Sequence, residues 1–557
     1  MDDLFARLRG LLAEYKQPDE QETLFSEFDG NDELQKLLVQ AFQQNEQVYR
    51  DVWIPYLRDH ALWDFPLYEC ASFDELKKWQ DMAPFAYFSL KPLGQKFSPK
   101  DTQQIARSPF SQRLRELHFA SIFDLGTSDI ELLARSRHLS NLHTLIITWN
   151  KIGIGGIVAI ASSPHFSGLK NLTIIIRDFP PEGAKAIADS PFLSNLRKLH
   201  VCEFSGIRGR GIDDEGAIAL AISKHLTGLI NLNLGMNDIS EEGIRWIASS
   251  SNAQGLKTLS LHSNRIGDGG IEAIAKSSNL PQLSALNVSD NYISTSGIRA
   301  LASTSPPLLR HLDLSGNFIC DEGLEALAYS KTIHMLEDLV VEGCCLGDHG
   351  IKTLANSANM ATLKRLHLDK NKVGDEGLES LAYSEHTHEL RTLSLSLNAV
   401  GTKGAKALAK SRQMRALETL ILYRNSIEDE GIEALASSEN MQNMRYLDLH
   451  VTGITASGVL AIAKSRYFSN LQTLDLSGND VGDEGVIALV ESKNMRNLRC
   501  VSFDRCNVSR EGVKVLANSP LLSNLQRLEL SGNQLDDDTI QMLKTSPHFP
   551  GSLDLRS

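Results

Sequence analysis

Two ionisable residues, His367 and Asp369, stand two positions apart in the stretch Leu366-His-Leu-Asp-Lys-Asn371. Alternate residues of a strand share one face, so this spacing would place an imidazole beside a carboxylate, as acid–base catalysis requires. A catalytic relay also needs a nucleophile and a third group that orients the base, and no neighbouring residue of the same strand supplies either. The pair alone therefore predicts no catalytic site.

Metal and cofactor motifs are equally incomplete. Asp369-Lys-Asn371-Lys-Val373-Gly374 imitates the start of a calcium loop, but Val373 and Ser380 stand at the fifth and twelfth positions, where such a loop needs ligands. The seven cysteines are scattered, and no pair has the spacing of a metal site. We expect a protein that is not an enzyme, with no catalytic residue, no cofactor and no metal.

The stretch belongs to a repeat that fills most of the chain. Leu366 and Leu368 alternate with polar residues, which predicts a short strand with one buried face. Asn371 follows where the chain must turn, and its amide can bond backbone groups of the turn and of the next repeat that would otherwise be buried unpaired. The equivalent position recurs every 27 residues, with one step of 26, at Asn264, Asn291, Asn317, Cys344, Asn371, Asn398, Asn425, Thr452, Asn479, Cys506 and Asn533.

The second half of each repeat predicts a helix. Asp375 is placed to cap the first turn of its own helix, and Leu381 and Ala382 form the inner face. Gly377, which recurs in nearly every repeat, lets the helix lie close to the turn beneath it. A strand and a helix repeated at a fixed period predict a solenoid, in which each turn buries its apolar face against its neighbours.

On these residues the chain resembles the ribonuclease-inhibitor-like subfamily of leucine-rich repeat proteins, from about Phe88 to the C-terminus. The form Ala326-Leu-Ala-Tyr-Ser330 is most similar to bacterial members. The resemblance implies an α/β horseshoe with a parallel sheet on its concave face and helices on its convex face. We assign residues 85–557 to this solenoid, as about 16–17 repeats of 27 residues.

Two parts of the chain depart from the repeat. Residues 1–84 carry helical patterns, and we interpret them as a cap over the open end of the solenoid or as a companion domain with its own partner. The fifth repeat contains a glycine-rich insertion with Arg208 and Arg210. That insertion is either a tolerated surface loop or a contact for an anion or a partner.

Composition narrows the classes of partner. The 557 residues carry a formal net charge of -13, which argues against nucleic acid and favours a basic partner, if any preference exists. No apolar run is long enough to cross a membrane. Acidic residues near Met1 do not fit a signal peptide, and an odd, scattered set of cysteines is typical of a reducing cytoplasm.

We expect the binding residues to be side chains that the hydrophobic core does not need. Residues between and just after the strand leucines should point into the concave face. They are Trp149, Asn233, His262, Asn287, Asp290, Asp313, Glu342, His367, Asp369, Ser394, Tyr423, Arg424, Asp448, His450, Asp475, Asp504, Arg505 and Glu529. The charged and aromatic members predict a protein-binding scaffold. The alternatives are a regulator of another enzyme, as in ribonuclease inhibitor or Ran GTPase-activating protein, and a two-ended adaptor. The partner's identity and the oligomeric state do not follow from the sequence.

Overall fold

The computed structural model describes residues 68–70, 88–91, 99–119, 125–204, 211–304, 306, 308–550 and 553–556. These residues fall into two compact units, the first comprising Met1–Ile239 and Trp246–Leu256 and the second Ser240–Arg245 and Lys257–Ser557. Most of the predicted segment 1–84 lies outside the described residues, as do Arg208 and Arg210 of the insertion.

Parallel strands form the sheet of the first unit, each paired with the next along the chain. They are β1 (Tyr68–Cys70), β2 (Phe88–Leu90), β3 (Leu114–Phe119), β4 (Thr144–Asn150), β5 (Asn171–Ile176), β6 (Lys198–Glu203) and β7 (Asn231–Asn233). Strand β1 precedes the domain boundary drawn at residue 84, so the sheet takes in part of the predicted helical segment.

The strands of the second unit are three residues each and also pair in parallel, in chain order. They are β8 (Thr258–Ser260), β9 (Ala285–Asn287), β10 (His311–Asp313), β11 (Asp338–Val340), β12 (Arg365–His367), β13 (Thr392–Ser394), β14 (Thr419–Ile421), β15 (Tyr446–Asp448), β16 (Thr473–Asp475), β17 (Cys500–Ser502), β18 (Arg527–Glu529) and β19 (Asp554–Arg556).

A helix follows almost every strand. Within the described residues these helices are α1 (Pro99–Arg107), α2 (Thr127–Ala134), α3 (Gly153–Ala161), α4 (Pro181–Ala188), α5 (Asp213–Ala221), α6 (Glu241–Ser249), α7 (Gly267–Ala275), α8 (Thr295–Thr304), α9 (Cys320–Ala328), α10 (Asp348–Ala355), α11 (Asp375–Ala382), α12 (Thr402–Lys410), α13 (Glu428–Ala436), α14 (Ala456–Lys464), α15 (Gly482–Val490), α16 (Arg510–Ala517) and α17 (Asp537–Lys544). In many repeats a 3₁₀ turn precedes the next strand. None of these helices is long and apolar enough to cross a membrane.

The predicted core is confirmed. Leu366, Leu368 and Val373 are buried, as are Leu381 and Ala382 on the inner face of α11. The helix therefore packs its apolar side against the same layer that receives the strand leucines. Burying each such leucine contributes about 1.5–3 kcal/mol relative to leaving it exposed, and the repetition of this layer holds the array together.

Asparagine amides tie each turn to the preceding one, whereas the sequence predicted contacts with the next repeat. Asn371 accepts hydrogen bonds from the backbone N–H groups of Cys344 and Leu346 at 2.9 and 3.0 Å, and donates to the carbonyls of Val341 and Leu368 at 2.8 and 2.9 Å. One side chain thus satisfies four buried backbone groups on two turns.

Cysteine replaces asparagine in two turns, and its thiol takes over part of the same role. Cys344 Sγ donates to the carbonyl of Leu314 at 3.3 Å, and Cys506 Sγ donates to that of Leu476 at 3.1 Å. Both thiols are buried. The predicted substitution of a small, weakly polar thiol for the amide is therefore confirmed.

The aspartate at the helix start caps a different helix from the one we predicted. Asp375 is the first residue of α11, so the cap position of that helix is Gly374. Asp375 Oδ1 instead accepts hydrogen bonds from the N–H groups of Gly401 and Gly404, at 2.7 and 2.8 Å. These two glycines lie at the start of the next helix, α12. A Cβ on Gly404 would lie 2.8 Å from that same oxygen. The recurring glycine therefore makes room for the aspartate of the preceding turn.

Candidate functional site: the open sheet face of the second unit

We use the term open face for the strand side chains of the second unit that alternate with the buried leucines, together with the turn residues that follow them. Most of the predicted binding residues lie there and are half-buried. These are His262, Asn287, Asp313, Glu342, His367, Asp369, Tyr423, Asp448, His450, Asp475, Asp504 and Glu529. None of them is sealed inside the protein, as the predicted register requires.

One predicted member of the face is buried. Ser394 is 1% exposed, because its hydroxyl donates to both carboxylate oxygens of Asp369, at 2.6 and 2.8 Å. It is therefore a supporting residue beneath the face and is not available to a partner. Two arginines also differ from expectation. Arg424 and Arg505 do not alternate with the leucines but occupy the left-handed turn position, with φ of 55° and 53°, and both are exposed.

Acidic side chains crowd one end of the open face, and we call Asp448, Asp475, Asp504 and Glu529 the acidic patch. Asp448 and Asp475 are register partners on the adjacent strands β15 and β16. Burial raises the pKa of Asp448 to about 6, against a hydrogen bond from the His450 N–H, and the charge of Asp475 raises it further. Two carboxylates on neighbouring strands disfavour each other's ionisation.

The pKa of Asp504 in the same patch is shifted in the same direction. Burial raises the pKa of Asp504 despite a hydrogen bond from the Ser531 N–H, and the charges of Glu529 and Asp475 add to the rise. Glu529 is paired with Arg556 at 3.1 Å. In the described part of the chain, neither Asp448 nor Asp475 forms an ion pair with a lysine or arginine. The patch is therefore short of positive charge.

An aromatic cluster adjoins the acidic patch. The rings of Tyr423 and His450 lie 4.5 Å apart between centroids, and the Arg424 guanidinium carbon lies 5.4 Å from the centre of the Tyr423 ring. Tyr423 and His450 occupy the same repeat position in adjacent turns, so strand pairing brings them together. Tyrosine and arginine are the residue types that most often anchor protein interfaces.

A third group on the open face combines an imidazole with two carboxylates. The potential ligand atoms of Glu342, His367 and Asp369 all lie within 4.8 Å of one another. Burial raises the pKa of Glu342, and the neighbouring charge of Asp369 raises it further. The sequence predicted each of the three as a face residue without predicting that they meet. Glu342 and Asp369 are 27 residues apart, and this shared repeat position is the signal that could have shown their proximity.

The first residue of each strand also belongs to the open face, although it is missing from the predicted set. Asp338 is half-buried and pairs with Arg365 at 3.1 Å and with His311 at 3.7 Å across adjacent strands. The two-residue period of a strand places it on the same side as Val340. Extending that period one step back would have added these residues.

Two of the predicted binding residues, Trp149 and Asn233, belong to the first unit. Trp149 is 57% exposed in a left-handed turn, and its ring stacks on Phe204 at 5.7 Å between centroids. Asn233 is half-buried on β7. Arg208 and Arg210 lie outside the described residues, so their predicted contact with an anion or a partner stays a prediction.

Comparison with known proteins agrees with the repeat architecture. Eight segments match the family model described as "Leucine Rich repeat". They are residues 138–161, 254–275, 305–328, 359–382, 388–409, 413–436, 469–490 and 522–543. Together with the alternating strands and helices, these matches agree with the fold of a leucine-rich repeat solenoid. No curated protein matches the sequence.

Several solved structures show a distant likeness. An internalin (inlF) of Listeria monocytogenes is 21% identical, covering 66% of this chain and 81% of that chain, with a TM-score of 0.36. A leucine-rich repeat protein of Leptospira interrogans is 19% identical, covering 84% and 100%, with a TM-score of 0.34. A structure of the Rad7 and Elc1 complex in yeast gives 17% identity, 62% and 83% coverage, and a TM-score of 0.38. At these TM-scores the likenesses carry no functional argument.

Proposed function

We propose that this chain is a non-enzymatic scaffold whose open face binds a protein partner through a positively charged segment of that partner. The observation that carries the proposal is the row of carboxylates on adjacent strands, in which Asp448 and Asp475 are register partners. Burial raises the pKa of Asp448 to about 6, and the charge of Asp475 adds to the rise. A lysine or arginine of a partner placed there would offset the repulsion between the two carboxylates. Repeat arrays generally offer extended binding surfaces of this kind.

The aromatic cluster supports the same proposal. A cationic side chain that enters the acidic patch would pass beside the Tyr423 and His450 rings, and a tyrosine ring attracts cations through its face. The polarity of the face, with its excess of carboxylates, disfavours nucleic acid. We therefore propose a protein partner.

We propose three further attributes on narrower grounds. The 27-residue strand-and-helix repeat supports the ribonuclease-inhibitor-like subtype, and the Ala-Leu-Ala-x-Ser form supports a bacterial source. Six cysteines of the described residues are free thiols, which supports a reducing, cytoplasmic location. The regulator and adaptor alternatives stay predictions, and the second of them depends on residues 1–84.

The test measures binding of two synthetic peptides of equal length, one rich in lysine and arginine and one rich in glutamate. We expect the full chain to bind the cationic peptide, and added salt to weaken that binding. Replacing Asp448, Asp475 and Asp504 with asparagine should abolish the difference between the two peptides.

A matched control removes three other negative charges. Glu322, Glu376 and Glu484 are exposed at equivalent positions of their helices, and changing them to glutamine alters the net charge by the same three units. This control should bind the cationic peptide as the unchanged protein does. Equal loss of binding in both triple variants would show that net charge acts alone, and the proposed docking site would be wrong.

A further inference from the structure

We propose that Glu342, His367 and Asp369 form a binding site for a divalent transition-metal ion. Their ligand atoms lie within 4.8 Å of one another. In a tetrahedral zinc site two oxygen or nitrogen donors stand roughly 3.4 Å apart, because each bond is about 2.0–2.2 Å long. Side-chain rotations that bring the most distant pair of these atoms roughly 1.4 Å closer would close the three groups around one ion.

Strand register brings the three ligands together. His367 pairs with Val340 on the adjacent strand, and Glu342 follows Val340 on the same turn. Beyond the strands, the N–H of Gly343 donates to the carbonyl of Asp369 at 2.8 Å, which ties the two ligand-bearing turns together. The site thus rests on paired backbone of two neighbouring repeats, and the metal would add a link between them.

The Asp369 carboxylate is already oriented by supporting hydrogen bonds. Its two oxygens accept from the buried Ser394 hydroxyl at 2.6 and 2.8 Å, and Oδ1 accepts from the Ser396 N–H at 2.5 Å. Ligating carboxylates are commonly held in this way by a second layer of donors. The carboxylate of Glu342 and the imidazole of His367 have no hydrogen-bond partner among the described residues, so both are free to ligate.

An unpaired buried atom lies on the strand next to the one that carries the imidazole. Asp338 Oδ1 is buried and accepts no hydrogen bond within the described residues. Asp338 lies on strand β11, beside strand β12, which carries His367. A histidine that gives one nitrogen to a metal carries its proton on the other nitrogen, which usually meets a carboxylate. In the metal-bound protein, Asp338 Oδ1 would be the acceptor of that N–H group.

The donor set selects the class of ion. One imidazole nitrogen and two carboxylates suit zinc, manganese, cobalt or ferrous iron, whereas calcium and magnesium prefer oxygen alone. All three residues are half-buried on the open face. The remaining coordination positions of the ion would therefore be open to water or to a donor from a partner.

The experiment uses the full chain after treatment with a chelator and its removal by dialysis. Calorimetric titration with zinc chloride and with manganese chloride should show one saturable site per chain at micromolar metal. Titration with cobalt chloride should give a visible absorption band from Co²⁺ that is bound through the imidazole nitrogen of His367. His367→Ala and Glu342→Gln should lose this site, and Asp338→Asn should weaken it by about 10–100-fold.

His262→Ala is the matched control, because His262 is a half-buried histidine of the same face outside the three-residue group. It should retain the site, and far-UV circular dichroism should show that every variant is folded. No binding, a site retained in His367→Ala, or saturation only at millimolar metal would overturn the proposal, the last result indicating an adventitious ion only. The peptide assay of the proposed function runs in chelator, so the two proposals succeed or fail separately.

Discussion

Replacing Asn371 with alanine should weaken the contact between two successive turns of the second unit. The change removes the acceptor of the N–H groups of Cys344 and Leu346 and leaves both buried donors unpaired. A buried polar group without a partner costs about 1–3 kcal/mol, so two donors cost about 2–6 kcal/mol. The carbonyls of Val341 and Leu368 lose a donor as well, which places the expected loss of unfolding free energy in the upper part of that range.

Urea unfolding followed by circular dichroism measures this loss as a lower midpoint with an unchanged slope. Hydrogen exchange should accelerate locally in peptides that cover residues 338–350. Lys372→Ala is the control, since Lys372 is exposed on the same turn, and it should change stability by less than about 0.5 kcal/mol. Asn371→Cys should lose less than Asn371→Ala, because the chain already uses cysteine at this position. Equal midpoints for Asn371→Ala and Lys372→Ala would refute the role assigned to the amide.

Three other changes test the surroundings of the open face. Gly377→Ala should destabilise the protein by about 1–3 kcal/mol in the same urea assay, because the new Cβ would lie 2.6 Å from Asp348 Oδ1. Stability should fall as pH rises from about 4 to 6, because the folded Asp448 carboxyl keeps its proton to a pKa of about 6 while the unfolded one releases it near 3.9. Asp448→Asn should remove that part of the slope; an unchanged slope would contradict the assignment. Burial raises the pKa of Cys344 to about 12, so iodoacetamide at neutral pH should label the exposed Cys345 and spare Cys344, as peptide mass spectrometry would show.

The candidate site could be predicted from sequence one residue at a time. The alternation around the strand leucines places Asp448, Asp475 and His367 on an accessible face, because a side chain's side of a strand depends only on its position in the chain. Ser394 shows the weakness of that rule. Its position in the strand places it on the accessible face, but its hydroxyl donates a hydrogen bond to the carboxylate of Asp369 and the residue is buried.

The repeat, its buried leucines and the need for an amide at the turn follow from the sequence, because these depend on local periodicity and on backbone groups that each turn must satisfy. Only the folded structure shows which helix Asp375 caps and that Ser394 is buried in a hydrogen bond to Asp369. Both outcomes depend on the alignment of one turn against the next to within a fraction of an ångström. Hydrogen bonds between paired strands set that alignment. The 27-residue period shows only which residues are equivalent, and it does not fix the positions of their atoms.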